Sequence, residues 1–237
     1  MPNSNKFLTI ISYLIVLFVV AILCVLGTWQ INRYLDKQLR MEQINQRSEQ
    51  GLINHSRLSE LALNDVRDVH ISISPIKFSE SILLLDNQQY KGQVGFKILV
   101  PVTTDQGWIL VNLGWVAGRK DRLALPTIPS LHELTASLSG AISIPGLNRF
   151  VTETARADGV FPKVIQQVQF TKISELVNLP LLPYMLTVTQ PSDDYIREWQ
   201  PVVMEPLKHI GYALQWYGLA LAAGIIYIVA RRRRQRV

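Results

Sequence analysis

The chain has 237 residues, 48% of them hydrophobic, and a formal net charge of +6 at pH 7. Five of the positive charges are Arg231, Arg232, Arg233, Arg234 and Arg236, and no nucleic-acid recognition motif accompanies them, which excludes a nucleic-acid binder. Cys24 is the single cysteine, so no disulfide forms within the chain.

Residues 7–26 are apolar and uncharged, about 20 residues and hence roughly 30 Å of helix, enough to cross a bilayer. The run is too long for the apolar core of a signal peptide and carries no small-x-small cleavage site, so it reads as an uncleaved transmembrane helix. Residues 27–50 continue as a stalk helix. Trp29, Arg33, Lys37 and Arg40 recur at helical spacing, and neither glycine nor proline follows until Gly51. Ser56 to Leu63 predicts one more short helix.

The pattern then changes to period two. Val69, Ile71 and Ile73 alternate with His70, Ser72 and Ser74, as in a half-buried strand. Phe96–Val102 and Trp108–Val116 flank Thr103–Gly107 as a hairpin, and the second arm is apolar enough to be covered on both faces. Leu138, Gly140, Ile142 and Ile144 share one face of a strand. Val164, Val168 and Phe170 predict a later strand, Ile173–Asn178 a short helix, and Leu186 with Val188 a last strand. Residues 51–208 therefore read as one mainly antiparallel β domain, a small barrel or sandwich.

Residues 210–230 form a second apolar run of spanning length, and the basic tail 231–237 follows it. By the positive-inside rule that tail is cytoplasmic. Two spans then place both termini in the cytoplasm and residues 51–208 outside it. The expected class is an α+β membrane protein: two transmembrane helices flanking an extracytoplasmic β domain.

The chemistry-bearing residues gather at the outer edge of the two spans. On a helical wheel His209, Tyr212, Ala213, Trp216 and Ala220 share a face, and a histidine framed by aromatics at that depth suits a metal or haem ligand. Tyr and Trp are also the ordinary interfacial belt of any span. Trp29, Gln30, Arg33 and Lys37 sit at the same edge of the first span. Arg33 and Lys37, one turn apart, suit two carboxylates, although cations there also snorkel to lipid head groups. Enzyme motifs are absent: there is no G-x-S-x-G, no H-E-x-x-H and no phosphate loop. His132-Glu133 lacks the second histidine of a zinc site. His55 and His70 read as isolated and solvent-facing. Met41, Met185, Met204 and Cys24 are too scattered for copper delivery.

Several short motifs in order resemble the surfeit locus protein 1 family of cytochrome oxidase assembly factors. Gly27-Thr28-Trp29-Gln30 with Arg33 matches the family's Gly-x-Trp-Gln entry motif. Leu84-Leu85-Asp86-Asn87 and Gly95-Phe96 look like its next strands. Val111-Asn112-Leu113-Gly114-Trp115 matches its Val-Asn-Arg-Gly-Trp signature, with leucine in place of the arginine, and Leu125-Pro126 fits the segment after it. His209 with Tyr212-Ala213-Leu214-Gln215-Trp216 matches the closing motif. The resemblance covers essentially the whole chain and implies a bacterial inner-membrane assembly factor for haem-copper (cytochrome c) oxidase, not an enzyme, with a periplasmic central domain. It implies haem a as transient cargo, with His209 as iron ligand and Tyr212, Trp216, Trp29, Gln30 and Arg33 around it. The implied partners are the catalytic subunit of the oxidase and haem a synthase. Two other classes remain open on the residues: a membrane scaffold that stabilises oxidase subunits without haem, and a sensor, which the lack of any cytoplasmic output domain disfavours.

Overall fold

The computed structural model describes residues 3–49, 51–63, 65–119, 121, 124–129, 131, 137–199 and 204–234. They fall into two compact units, one built from residues 1–43 and 202–237 and the other from residues 44–201.

The first unit is a pair of helices. α1 runs unbroken from Asn3 to Glu49, 47 residues or about 70 Å. No residue after Pro2 lacks its backbone donor until Pro75, so nothing interrupts the ladder where the apolar run ends. The anticipated span and stalk are one rod. The second long helix, α3, runs from Pro206 to Arg234, with proline at its first position, where the missing N–H costs nothing. Both helices are long and apolar enough to cross a membrane. Phe7, Phe18, Val25, Leu214, Leu221 and Ile226 point outward, as side chains that face lipid do.

The second unit is a mixed β-sheet. Its strands are β1 (Ile53–Asn54), β2 (His70–Ile73), β3 (Lys77–Phe78), β4 (Leu83–Tyr90), β5 (Gln93–Thr104), β6 (Gly107–Ala117), β7 (Leu138–Ser143), β8 (Lys163–Ile165) and β9 (Leu181–Val188). They join in one continuous sheet in the order β1-β2-β7-β9-β6-β5-β4-β8, with β3 paired to β5. Most pairings are antiparallel, but β1–β2, β4–β8 and β6–β9 are parallel. The sheet is thus mixed. Period-two alternation reports which face is buried, not the direction of the neighbouring strand.

The expected hairpin is β5–β6, turning at Asp105-Gln106, with Gly107 at φ 114° beyond it. β6 is the strand covered on both faces. Ile109, Val111 and Leu113 join one apolar cluster with Ile71, Ile98, Val100 and Leu186, while Leu110 joins another with Leu83, Leu99 and Met185. The amphipathic helix α2 (Phe170–Val177) covers that second face with Ile173 and Val177, ending on Asn178 in the left-handed conformation.

Two local expectations change. The strand anticipated through Val164, Val168 and Phe170 stops at Ile165, and Phe170 opens α2. The short helix near residue 56 is a 3₁₀ segment, His55–Glu60.

Candidate functional site

His209 lies in the first turn of α3 and is only 9% exposed. Its Nδ1 is 2.8 Å from Oε1 of Gln30 on α1, so the ring N–H donates to the amide carbonyl. Its other nitrogen, Nε2, is buried with no hydrogen-bond partner. Ala213 and Ala220 continue the same face and are buried, as small residues are where another helix comes close.

Other contacts hold α1 and α3 in register. A Cβ on Gly27 would stand 2.8 Å from Cζ of Tyr217, so the tyrosine ring lies where only glycine leaves room. The Thr28 hydroxyl donates to the Cys24 carbonyl at 3.0 Å, and so accepts from the Tyr217 hydroxyl at 2.9 Å. Further along, Ser12 donates to the Thr9 carbonyl and accepts from Tyr227 at 3.2 Å. Gln30 to Ser12 and His209 to Tyr227 are equal steps in opposite chain directions. The two helices are therefore antiparallel neighbours over about 27 Å.

The remaining candidate residues are placed differently. Arg33 stacks over Trp29, its Cζ 5.6 Å from the ring centroid, and Trp29 is 49% exposed. This pair lies about 60–100° round α1 from Gln30, on a flank open to its surroundings. Tyr212 is 44% exposed at the edge of the α3 face, and Trp216, nearer its centre, is half-buried. No described contact links Trp29, Arg33 or Tyr212 to His209. The structure thus joins Gln30 to His209 and Trp29 to Arg33.

Sequence reasoning passed over Gly27, Thr28 and Tyr217 as contact residues, and Ser12 with Tyr227. Their signal was present: hydroxyls within or beside apolar runs seldom stay there without a partner.

In the sheet domain, the isolated and solvent-facing reading of His55 and His70 is corrected. His55 is 2% exposed, its Nδ1 3.3 Å from Thr104 Oγ1 and its Nε2 3.4 Å from the Tyr184 hydroxyl. Burial lowers its pKa below the usual histidine value, with Asp105 opposing. His70 packs edge-on against Trp199 at 4.8 Å, and burial lowers its pKa too, with Asp68 opposing. Both stand where the chain turns into the sheet, His55 buried and His70 half-buried.

The sheet motifs converge on Trp115. Its indole N–H donates to the Gln88 carbonyl at 3.0 Å, just past the bulge of β4 where Asn87 takes φ 58°. A Cβ on Gly95 would meet the Trp115 ring at 2.6 Å, and one on Gly114, at φ 131°, would meet Cβ of Tyr195 at 2.8 Å. Leu113 is the extra residue of a bulge between β5 and β6 and is fully buried; its carbonyl accepts from Arg197 Nε at 2.7 Å. The leucine at the signature's arginine position is therefore a core residue here.

Among the described residues no three His, Cys, Asp or Glu side chains come together to hold a metal ion. A single imidazole with one nitrogen pinned and the other buried without a partner fits a group that needs one axial ligand from the protein, as a haem does. Residues 17–221 match the model of the SURF1 family. The chain belongs to the SURF1 family. A SURF1-like protein of Rickettsia felis (strain ATCC VR-1525 / URRWXCal2) is 23% identical over 226 residues, covering 92% of this chain and 96% of that protein. The SURF1 family is one of assembly factors, generally associated with cytochrome oxidase. Two apolar helices flanking a central domain are compatible with a membrane protein.

Proposed function

We propose that this SURF1-family chain is an inner-membrane assembly factor for haem-copper (cytochrome c) oxidase that receives haem a and presents it to the catalytic subunit. α1 crosses the membrane with residues 7–26 and α3 with residues 210–230. Arg231, Arg232 and Arg233 keep that end cytoplasmic and leave the sheet domain on the periplasmic side. Reporter fusions test this topology: a C-terminal alkaline phosphatase should be inactive and one near Gly146 active, and the reverse pattern refutes it.

The observation that carries the haem reading is the buried, unpartnered Nε2 of His209. His209 would ligate the iron through Nε2, and Trp216, two turns further along the same face of α3, would offer an aromatic wall. Arg33, exposed on its Trp29 platform, is free to take a carboxylate with two parallel hydrogen bonds, and Tyr212 lies exposed at the edge of the α3 face. Because Nε2 is enclosed, cargo reaches it only when the side chains over it move aside, which suits a carrier that must release what it binds. Haem a synthase is the source and the oxidase catalytic subunit the recipient.

His209→Ala, purified from a host that makes haem a, should insert normally and lose the haem that co-purifies with the wild type. An unchanged absorption spectrum in that variant overturns the assignment. A second reading, a scaffold without haem, is favoured by Phe150, 96% exposed, with Leu147 and Val160 also exposed in the segment after β7. It takes precedence if wild-type protein carries no haem while Phe150→Ser lowers oxidase assembly.

A further inference from the structure

We infer that Gln30 is a positioning residue, resting on the reading above. It holds the His209 ring with the proton on Nδ1, so that Nε2 is presented as a bare lone pair. Gln30 would thus act on the cargo through the histidine and not by touching it.

A neutral imidazole carries its proton on one of two nitrogens, and the partner of the first decides what the second can do. Here Nδ1 is 2.8 Å from an amide oxygen, an acceptor only, which keeps the proton on Nδ1. Turning the Gln30 amide over would move the proton to Nε2 and bury an N–H donor with no acceptor, the arrangement proteins tolerate least. In the observed arrangement the unsatisfied atom is a lone pair, which an iron atom satisfies. Imidazoles bound to metal ordinarily donate their other N–H to a carbonyl or carboxylate, which orients the ring and raises its basicity.

The position of Gln30 is itself fixed. Gly27 admits the Tyr217 ring and Thr28 takes the Tyr217 hydroxyl, so α1 is pinned to α3 within one turn of the amide. Gly27, Thr28 and Gln30 thus serve one end: clearance, register and tautomer. Trp29, between them in sequence, faces the open flank.

The test uses the full chain in lipid nanodiscs with ¹⁵N-labelled histidine. The His209 resonances are assigned by their loss in His209→Ala. The wild type should show a single tautomer, protonated at Nδ1 and bare at Nε2. Gln30→Leu should lose that preference, and Gln30→Glu, which keeps an acceptor, should retain it. If Gln30→Leu fails to accumulate, Gln30→Asn replaces it, since its amide is one methylene too short to reach. A proton on Nε2 in the wild type, or a tautomer unchanged in Gln30→Leu or Gln30→Asn, overturns the proposal.

Titration with haem supplies the second arm. Gln30→Leu should bind about 10–100-fold more weakly. Gln30→Glu should recover binding and lower the reduction potential, because a stronger acceptor makes the imidazole a better donor to ferric iron. Should His209→Ala lose haem while Gln30→Leu titrates and absorbs as wild type, Gln30 has no such role and the carrier reading survives. Should the wild type bind no haem while the tautomer still follows residue 30, the carrier reading fails and the positioning role stands.

Discussion

The helix pair and the sheet domain hold themselves together in opposite ways. In the sheet, nearly every inward residue of β5 and β6 is buried among others of its kind, and hydrogen bonds run along the whole ladder. In the helix pair most apolar side chains point outward, and register rests on a few polar contacts and small residues: Gln30–His209, Thr28–Tyr217, Ser12–Tyr227 and Gly27. Redundant packing absorbs small changes and fails only under gross ones. A sparse set of contacts fails one residue at a time. His209, the ligand proposed for the cargo, belongs to the second kind of structure, which suits a cargo that must leave.

The largest expected effect separates the two. Val111 is fully buried at the centre of β6, between β5 and β9. Val111→Asp places an unpaired charge there and should cost more than about 4 kcal/mol, a large share of a domain's total stability. The domain should become protease-sensitive while α1 and α3 still insert. A protease-resistant Val111→Asp domain would show that β6 is not the centre of the sheet.

A smaller effect should appear in the helix pair alone. Gly27→Leu forces a side chain into the space of the Tyr217 ring, an overpacking cost of about 1–3 kcal/mol. A cross-link between Ser12→Cys and Tyr227→Cys, made in a Cys24→Ala background, reads out the register of the helices. Its yield should fall with Gly27→Leu and less with Gly27→Ala, the sheet domain keeping its thermal transition. Equal yields in all three backgrounds would mean that Gly27 does not set the approach of the helices.

The smallest effect is a pH dependence confined to the sheet. Burial lowers the pKa of both His55 and His70. The unfolded chain therefore binds protons that the folded one refuses, beginning near the ordinary histidine value of about 6.5. Stability is complete above that value and declines as pH falls below it, towards the depressed folded values. The melting temperature of the domain should drop between about pH 7.5 and about pH 5.5, less so in His55→Gln. A flat profile would mean that His55 is as accessible as its sequence context first suggests.

The local signals were legible where they depended on neighbours along the chain. Apolar runs of spanning length gave two long helices, alternation gave β2, β5, β6, β7 and β9, and the motifs singled out Gln30 and His209. Three things escaped. The parallel pairings of β1–β2, β4–β8 and β6–β9 join segments far apart in sequence, and alternation carries no direction. His55 and His70 read as isolated and solvent-facing because no partner stands near them in sequence, whereas Thr104, Tyr184 and Trp199, which pack against them, come from distant strands and loops. Tyr217 and Thr28 carried no contact role until the two helices lay side by side.

The sequence by itself determined the elements, their apolar faces and the residue types able to ligate, because periodicity and side-chain chemistry are local properties. Only the tertiary structure decided that the Nδ1–H of His209 meets Gln30 and that its Nε2 meets nothing. Which atom of a side chain finds a partner depends on the neighbour that long-range packing delivers.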